Sequence, residues 1–149
     1  MRTFRISQKV HYIGVNDRST EHFEAMWPLP FGVSYNSYIV FGADKTAIID
    51  GVEVSHALQL VDHIHTEIGD RHPDYLIINH MEPDHSGAIR ILRQVYPDIT
   101  IVGNAQTIAM VKGFYGVDTN TLTVKEGDTL DLGGGTTLGF YLTPMVHWP

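Results

Sequence analysis

The sequence predicts a layered α/β (α+β) fold, and three features carry that prediction. Two short, continuously apolar runs at 75–78 and 99–102 have the character of strands buried on both faces. Segments of helical period lie beside them, at 56–68, 88–95 and 105–115. The two ends of the chain alternate apolar with polar residues between turn-forming clusters. Antiparallel strands, then strand–helix units, then a β-meander make a layered architecture around one core.

The first strands are expected at 4–7 and 11–14. An irregular stretch from Val15 to Ser34 follows, punctuated by Pro28, Pro30 and Gly32; a structureless segment of that length inside a small domain points to a functional loop. The aromatic and β-branched run 35–41, the turn 42–45 and the return 46–50 read as a β-hairpin. Ser55 is placed to cap a helix in which Ala57, Leu60, Val61, Ile64 and Ile68 share a face, and Gly69 closes it. Pro73 breaks the chain before the buried strand 75–78. After a polar turn, Ala88, Ile89, Ile91, Leu92 and Val95 mark a second helix ending near Pro97. Strand 99–102 leads to a third helix, 105–115, behind Asn104 as cap. Segments 122–124, 129–132 and 136–142, turning at 126–128 and 133–135, complete the predicted meander.

Composition limits what this fold can do. At 149 residues, with 43% hydrophobic and 18% charged, the chain is one ordinary globular domain and not a disordered tail. Its formal net charge of −7 and lack of any Lys/Arg run remove the electrostatic footprint for nucleic acid or an anionic membrane. No run is long enough to span a bilayer. The opening Met-Arg-Thr-Phe-Arg lacks a signal peptide's apolar core, so a cytoplasmic location is expected. With no cysteine there can be no disulfide, thiol nucleophile or cysteine-bound cluster. Nine histidines are the oddity, and they direct attention to metal.

The chemistry concentrates in Asn79-His80-Met81-Glu82-Pro83-Asp84-His85-Ser86-Gly87, just beyond the apolar strand 75–78. Sites in open α/β sheets collect beyond the C-terminal ends of strands. In an extended loop His80, Glu82 and Asp84, spaced two apart, share one face, and His85 turns to a second point in the same pocket. Asp84 also sits where a helix N-terminus favours an acid. A helix cap needs one polar residue, not four, and carboxylates with imidazoles at the edge of a dry interior need a compensating cation. Two imidazoles and two carboxylates without thiolate suit iron, manganese or zinc, and the oxygen content leans towards non-haem iron or manganese. His147, set among Pro144, Met145, Trp148 and Pro149, is a further ligand candidate.

The His-x-Glu-x-Asp-His pattern, with Tyr35-Asn36-Ser37-Tyr38 upstream and Pro-Met-Val-His-Trp-Pro at 144–149, resembles the flavodiiron proteins (A-type flavoproteins). Gly14-Val15-Asn16-Asp17-Arg18 and Lys125-Glu126-Gly127-Asp128-Thr129-Leu130 extend the resemblance over the whole chain. It implies a metallo-β-lactamase-like αββα sandwich, of which residues 1–149 form the N-terminal half. It also implies that His80, Glu82 and His147 hold one iron while Asp84 and His85 hold the other. Glu82 stands where hydrolases of the same superfold carry a second histidine. His22 resembles a family histidine lying close to the diiron pocket. His56, His63, His65 and His72 match nothing in the motif and are expected to be solvated.

The resemblance further implies reduction of dioxygen to water or nitric oxide to nitrous oxide at two non-haem irons, with zinc or manganese as possible substitutes. FMN, bound by a flavodoxin-like domain of the full-length protein only, would deliver electrons within a head-to-tail homodimer. The donor would be a rubredoxin or a reductase. The family's bridging aspartate, its last histidine and its flavin domain lie beyond residue 149, so the expectation is a portion of the metal domain that is inactive alone. The competing readings are a binuclear zinc hydrolase of the same fold and a non-catalytic metal-binding half-domain.

Overall fold

The computed structural model describes residues 3–23 and 25–144. In chain order its elements are β1 (Phe4–Arg5), β2 (Val10–Tyr12), β3 (Val15–Asp17), β4 (His22–Phe23), β5 (Trp27–Pro28), β6 (Val33–Tyr35), β7 (Tyr38–Phe41), β8 (Thr46–Ile49), a 3-10 turn (Val54–His56), α1 (Ala57–Ile68), β9 (Tyr75–Ile77), α2 (Pro83–Ser86), α3 (Ile89–Val95), β10 (Thr100–Gly103), α4 (Ala105–Met110), a π-helix (Val111–Tyr115), β11 (Thr121–Thr123), β12 (Thr129–Asp131) and β13 (Thr137–Gly139). Among the described residues, seven strands form one mixed sheet in the order β1-β2-β7-β8-β9-β10-β11. Neighbours are antiparallel from β1 to β8 and parallel from β8 to β11.

Strict alternation in the central strands divides the core into two layers. Ile39, Ile48, Leu76, Ile78 and Ile101 face one side, where Leu60, Ile64 and Ile68 of α1 and Ile89 and Leu92 of α3 cover them. Val40, Ala47, Tyr75, Ile77 and Val102 face the other, where Leu132 is buried and Leu130 and Leu138 of the β12–β13 hairpin pack over them. Both faces are covered, which is why these strands read as unbroken apolar runs.

Several sequence expectations are corrected. The 15–34 segment is not a structureless loop: β3 pairs with β6 and β4 with β5, each a short antiparallel ladder. Tyr35 therefore leaves the expected 35–50 hairpin for β6, and the hairpin is confined to β7 and β8. Ser55 does not cap α1. Glu53 instead accepts from the Ser55 backbone N–H at 2.7 Å, capping the 3-10 turn that precedes the helix. The helix expected over 105–115 changes character at Val111, widening into a π-helix. Among the described residues the C-terminal strands do not form a meander: β11 adds in parallel to β10, and β12 pairs with β13 as a hairpin.

That hairpin is seated on the β7–β8 turn. Leu132 O accepts from the backbone N–H groups of Asp44 and Lys45, each at 3.1 Å, and Gly133 O from that of Ala43 at 3.2 Å. A Cβ at Gly42 would lie 1.9 Å from Leu132 O, so the contact depends on the missing side chain. Gly42→Ala is expected to destabilise the protein by about 1–3 kcal/mol, the usual cost of forced overpacking. Gly113→Ala, where nothing lies within 4 Å, is the control and is expected to be neutral or stabilising. Urea unfolding midpoints of the two variants check this.

Candidate metal centre

The parallel order of β8 and β9 brings two chain ends together at one edge of the core. Asp50 follows β8, is 7% exposed, and adopts a positive φ of 59°. Its Oδ1 accepts from the Asn79 backbone N–H at 2.8 Å and its Oδ2 from Asn79 Nδ2 at 3.0 Å. Asp50 N donates to Ile77 O at 2.8 Å, and Ser37 Oγ donates to Asp50 O at 2.8 Å. One residue on, Gly51 N donates to His85 O at 2.8 Å. Any Cβ at Gly51 would lie 2.8 Å from that same oxygen, and one at Gly87 would lie 2.6 Å from Pro83 O. Two glycines thus let α2 lie directly against the strand end.

Asp84 and His85 stand on the single turn of α2 and not in an extended loop, which corrects the expected spacing argument. Glu82, extended at φ −62° and ψ 144°, sits at the N-cap, and its carbonyl accepts from the backbone N–H groups of His85 and Ser86, each at 2.9 Å. The turn nevertheless brings the predicted donors into one cluster. His80 Nε2 is 3.9 Å from Glu82 Oε2, His85 Nε2 is 3.5 Å from Asp84 Oδ2, and the two imidazole rings lie 4.4 Å apart. Ligand atoms of His80, Glu82 and Asp84 fall within 4.8 Å of one another, as do those of Asp50, His80 and His85. His147 lies outside the described residues.

Asp50 is the member that sequence reasoning missed. It stands 29 residues before Asn79, and its only signal was an acid ending an apolar strand. Asp50 Oδ2 is 3.6 Å from His85 Nδ1, an ion-pair distance too long for a hydrogen bond.

The donor set fits a divalent cation. Three carboxylates and two imidazoles crowd one partly buried pocket, where a divalent cation would offset the nominal negative charge. Among the described residues, Asp84 Oδ1 and His85 Nδ1 are buried without a hydrogen-bond partner, an arrangement that is costly unless a ligand completes it. Oxygen and imidazole nitrogen donors without sulfur suit iron, manganese or zinc.

A cavity of about 420 Å³ opens beside Asp84, bounded also by Thr20, His22, Phe23, Tyr35 and Glu53. His22 is exposed on β4 and lines this cavity, so it borders the site without joining the ligand cluster. Behind Tyr35 lies the buried Asp17 carboxylate. It accepts from Ser19 N and Oγ at 2.7 Å each, Thr20 N at 3.1 Å, Tyr35 OH at 3.3 Å and His56 Nε2 at 3.0 Å. Burial opposes its ionisation, but these donors outweigh it and hold the carboxyl well below the usual range. Burial and the Asp17 charge push the Tyr35 phenol up to about 12, so the cavity wall keeps a neutral hydroxyl.

The expectation that His56 and His63 are simply solvated is corrected. His56 serves Asp17, and His63 Nδ1 bonds Ile13 O at 2.9 Å. His72 packs its ring against Tyr96.

The two clustered histidines titrate apart. Burial lowers the His80 imidazole, and the neighbouring His85 lowers it further, against the opposing pull of Asp50, Asp84 and Glu82. Burial also depresses His85, but Asp50, Asp84 and Glu82 outweigh it and raise its pKa. A raised histidine adds stability that is complete below its unfolded value near 6.5 and disappears as pH rises through the folded value. A depressed one costs stability as pH falls below 6.5. Histidine NMR titration of chelator-treated protein is therefore expected to find His85 protonating above the ordinary range and His80 below it. Acid should accordingly compete with metal at His85 first.

Comparison with known proteins identifies the family and the fold. The family described as "ODP family beta lactamase" matches residues 33–149. An anaerobic nitric oxide reductase flavorubredoxin of Vibrio vulnificus is 34% identical over 149 residues, covering 99% of this chain and 30% of that protein. Among solved structures, a flavo di-iron protein mutant from Thermotoga maritima superposes with a TM-score of 0.90 at 30% identity, over 99% of this chain and 37% of its own. Rubredoxin oxygen:oxidoreductase from Desulfovibrio gigas gives 0.88 at 33% identity, with the same coverage. A subclass B3 metallo-beta-lactamase from a soil metagenome shares the fold alone, at a TM-score of 0.72 and 18% identity over 97% of this chain and 53% of its own. The chain spans about 30% of the length of the curated relatives it matches. Its fold is metallo-β-lactamase-like, it is homologous to the flavorubredoxins and flavodiiron proteins, and it belongs to the ODP family of beta-lactamase domains.

Proposed function

We propose that residues 1–149 are the N-terminal portion of a diiron domain in a flavodiiron oxidoreductase that reduces dioxygen to water, nitric oxide to nitrous oxide, or both. The observation that carries this reading is the mixed donor cluster, in which Glu82 and Asp84 lie with His80 and His85 beside an open cavity. The names of the relatives, nitric oxide reductase flavorubredoxin and rubredoxin oxygen:oxidoreductase, support it.

In this reading His80, Glu82 and His147 hold one iron, and Asp84 and His85 hold the other. Two ferrous ions there would supply binding and electrons for a small diatomic: dioxygen takes four electrons and four protons to two waters, and two nitric oxides take two of each to nitrous oxide and one water. The remaining work falls to the protein. Asp50 lies at ion-pair distance from His85 and, through Asn79, ties the segment that carries the ligands to the end of β8, as partners behind metal ligands commonly do. Tyr35, neutral and held by Asp17, presents a fixed phenol edge to the cavity. Phe23 and Pro83 supply apolar wall, and His22 offers an imidazole at the rim.

The same reading places FMN in a further domain of the full-length protein and brings it to the metals of another subunit in a head-to-tail homodimer. A rubredoxin or a reductase supplies its electrons, in the cytoplasm. No helix among the described residues is long and apolar enough to cross a membrane.

Elemental analysis and anaerobic turnover of the protein as its source encodes it test the reading. Iron is expected to exceed zinc, with consumption of dioxygen or nitric oxide when a reduced donor is supplied. His85→Ala should reduce metal content and lower turnover by at least about a hundredfold, since even the groups behind metal ligands contribute 10–100-fold. Zinc occupancy with ester hydrolysis and no gas consumption would sink the reading in favour of a hydrolase. The isolated 149-residue chain is expected to bind at most one metal tightly and to show no oxidase turnover.

A further inference from the structure

Ser86 and Tyr115 form a polar contact that the site described above does not use. Ser86 is fully buried, two residues beyond Asp84. Its Oγ lies 2.9 Å from Met81 O and 2.6 Å from Tyr115 OH. A carbonyl oxygen only accepts, so the single Ser86 hydroxyl proton is committed to Met81, and the Tyr115 phenol must be the donor to Ser86. The result is a directed relay, Tyr115 O–H to Ser86 O–H to the Met81 carbonyl.

Its end point matters because Met81 O belongs to the peptide plane that leads into Glu82. The next plane is held from the other side, where Glu82 O accepts from His85 N and Ser86 N. Glu82 is therefore pinned by both of its flanking peptides, and Ser86 takes part in both restraints. A carboxylate that is to share a metal with an imidazole 3.9 Å away depends on that backbone orientation.

The far end of the relay is equally fixed. Tyr115 is the last residue of the π-helix, where the wider turn breaks from the α-helical course of residues 105–110. Such widened turns occur frequently at functional sites. Its terminal carbonyls, which no helical partner satisfies, accept from Arg90 of α3: Nε to Tyr115 O at 3.1 Å and Nη2 to Phe114 O at 3.2 Å. Gly116 follows at φ 68° and ends the turn. Tyr115 also packs against the main core, so its ring has little freedom.

We infer that Tyr115 is a positioning residue for the metal centre, acting through Ser86 to hold the Met81–Glu82 peptide and with it the Glu82 carboxylate. This rests on the reading of residues 80–85 as metal ligands.

The test uses the protein as its source encodes it, stripped with chelator and titrated with Co(II) under anaerobic conditions. The readouts are apparent affinity, the visible d–d spectrum and the melting temperature of the metal-free form. Tyr115→Phe is expected to weaken Co(II) binding about tenfold, the lower end of the range for groups behind metal ligands. The d–d band should shift while the metal-free melting temperature stays close to wild type. Ser86→Ala should weaken binding at least as much. The double variant should be no worse than Ser86→Ala, because the two hydroxyls act in series. Should Tyr115→Phe fail to fold, Ser86→Ala alone decides by the same affinity and spectrum. Wild-type affinity and spectrum in that variant, or in a folded Tyr115→Phe, would overturn the inference. So would an affinity loss matched by a lower melting temperature with an unchanged spectrum. A wild-type protein that takes up no Co(II) would overturn the metal reading itself, and this inference with it.

Discussion

The arrangement of this domain depends on the buried Asp50 carboxylate. It receives the Asn79 backbone and side-chain amides, while its own backbone joins Ile77 and Ser37. One residue thereby closes the ends of β8 and β9 and fixes where the chain leaves the sheet. A charged group at 7% exposure is unfavourable unless fully engaged. His80 and His85 lie beside it, so the anchor of the fold and a member of the candidate donor cluster are the same carboxylate.

The site inherits its character from that position. Parallel strands end together, and the groups that follow them meet at the edge of a dry core, where polar interactions act through a weak dielectric. Burial and the neighbouring His85 lower the His80 imidazole there, while the surrounding carboxylates outweigh burial and raise His85. A second buried acid, Asp17, is satisfied quite differently, by hydroxyl, amide and imidazole donors. The contrast is informative: Asp17 is fully solvated by protein, whereas Asp84 retains a buried oxygen with no hydrogen-bond partner among the described residues.

Much of the site was legible because its residues are close in sequence. His80, Glu82, Asp84 and His85 occupy one six-residue segment after an apolar strand, and their residue types alone point to metal. The local conformation was not legible. Pro83 starts a helical turn, which places Asp84 and His85 differently from an extended strand exit. His22 borders the same cavity as Asp84, and the 15–34 segment that carries it proved to be two small ladders. Pro28 and Pro30 read as loop signals; Pro30 does lie between strands, whereas Pro28 sits in β5, since a short edge ladder tolerates a proline.

The sequence by itself determined the layered class, the buried central strands, the helices α1 and α3, and the segment that carries the candidate donors. Each of these is written in local periodicity or local composition, which survives without knowledge of distant contacts. Tertiary structure alone decided the rest. The parallel addition of β11, the conversion of a helix end into a π-helix, and the recruitment of Asp50, His56 and Tyr115 all join residues far apart in the chain. Such pairings are selected by buried groups finding partners across the core, and no window along the sequence contains both halves of the contact.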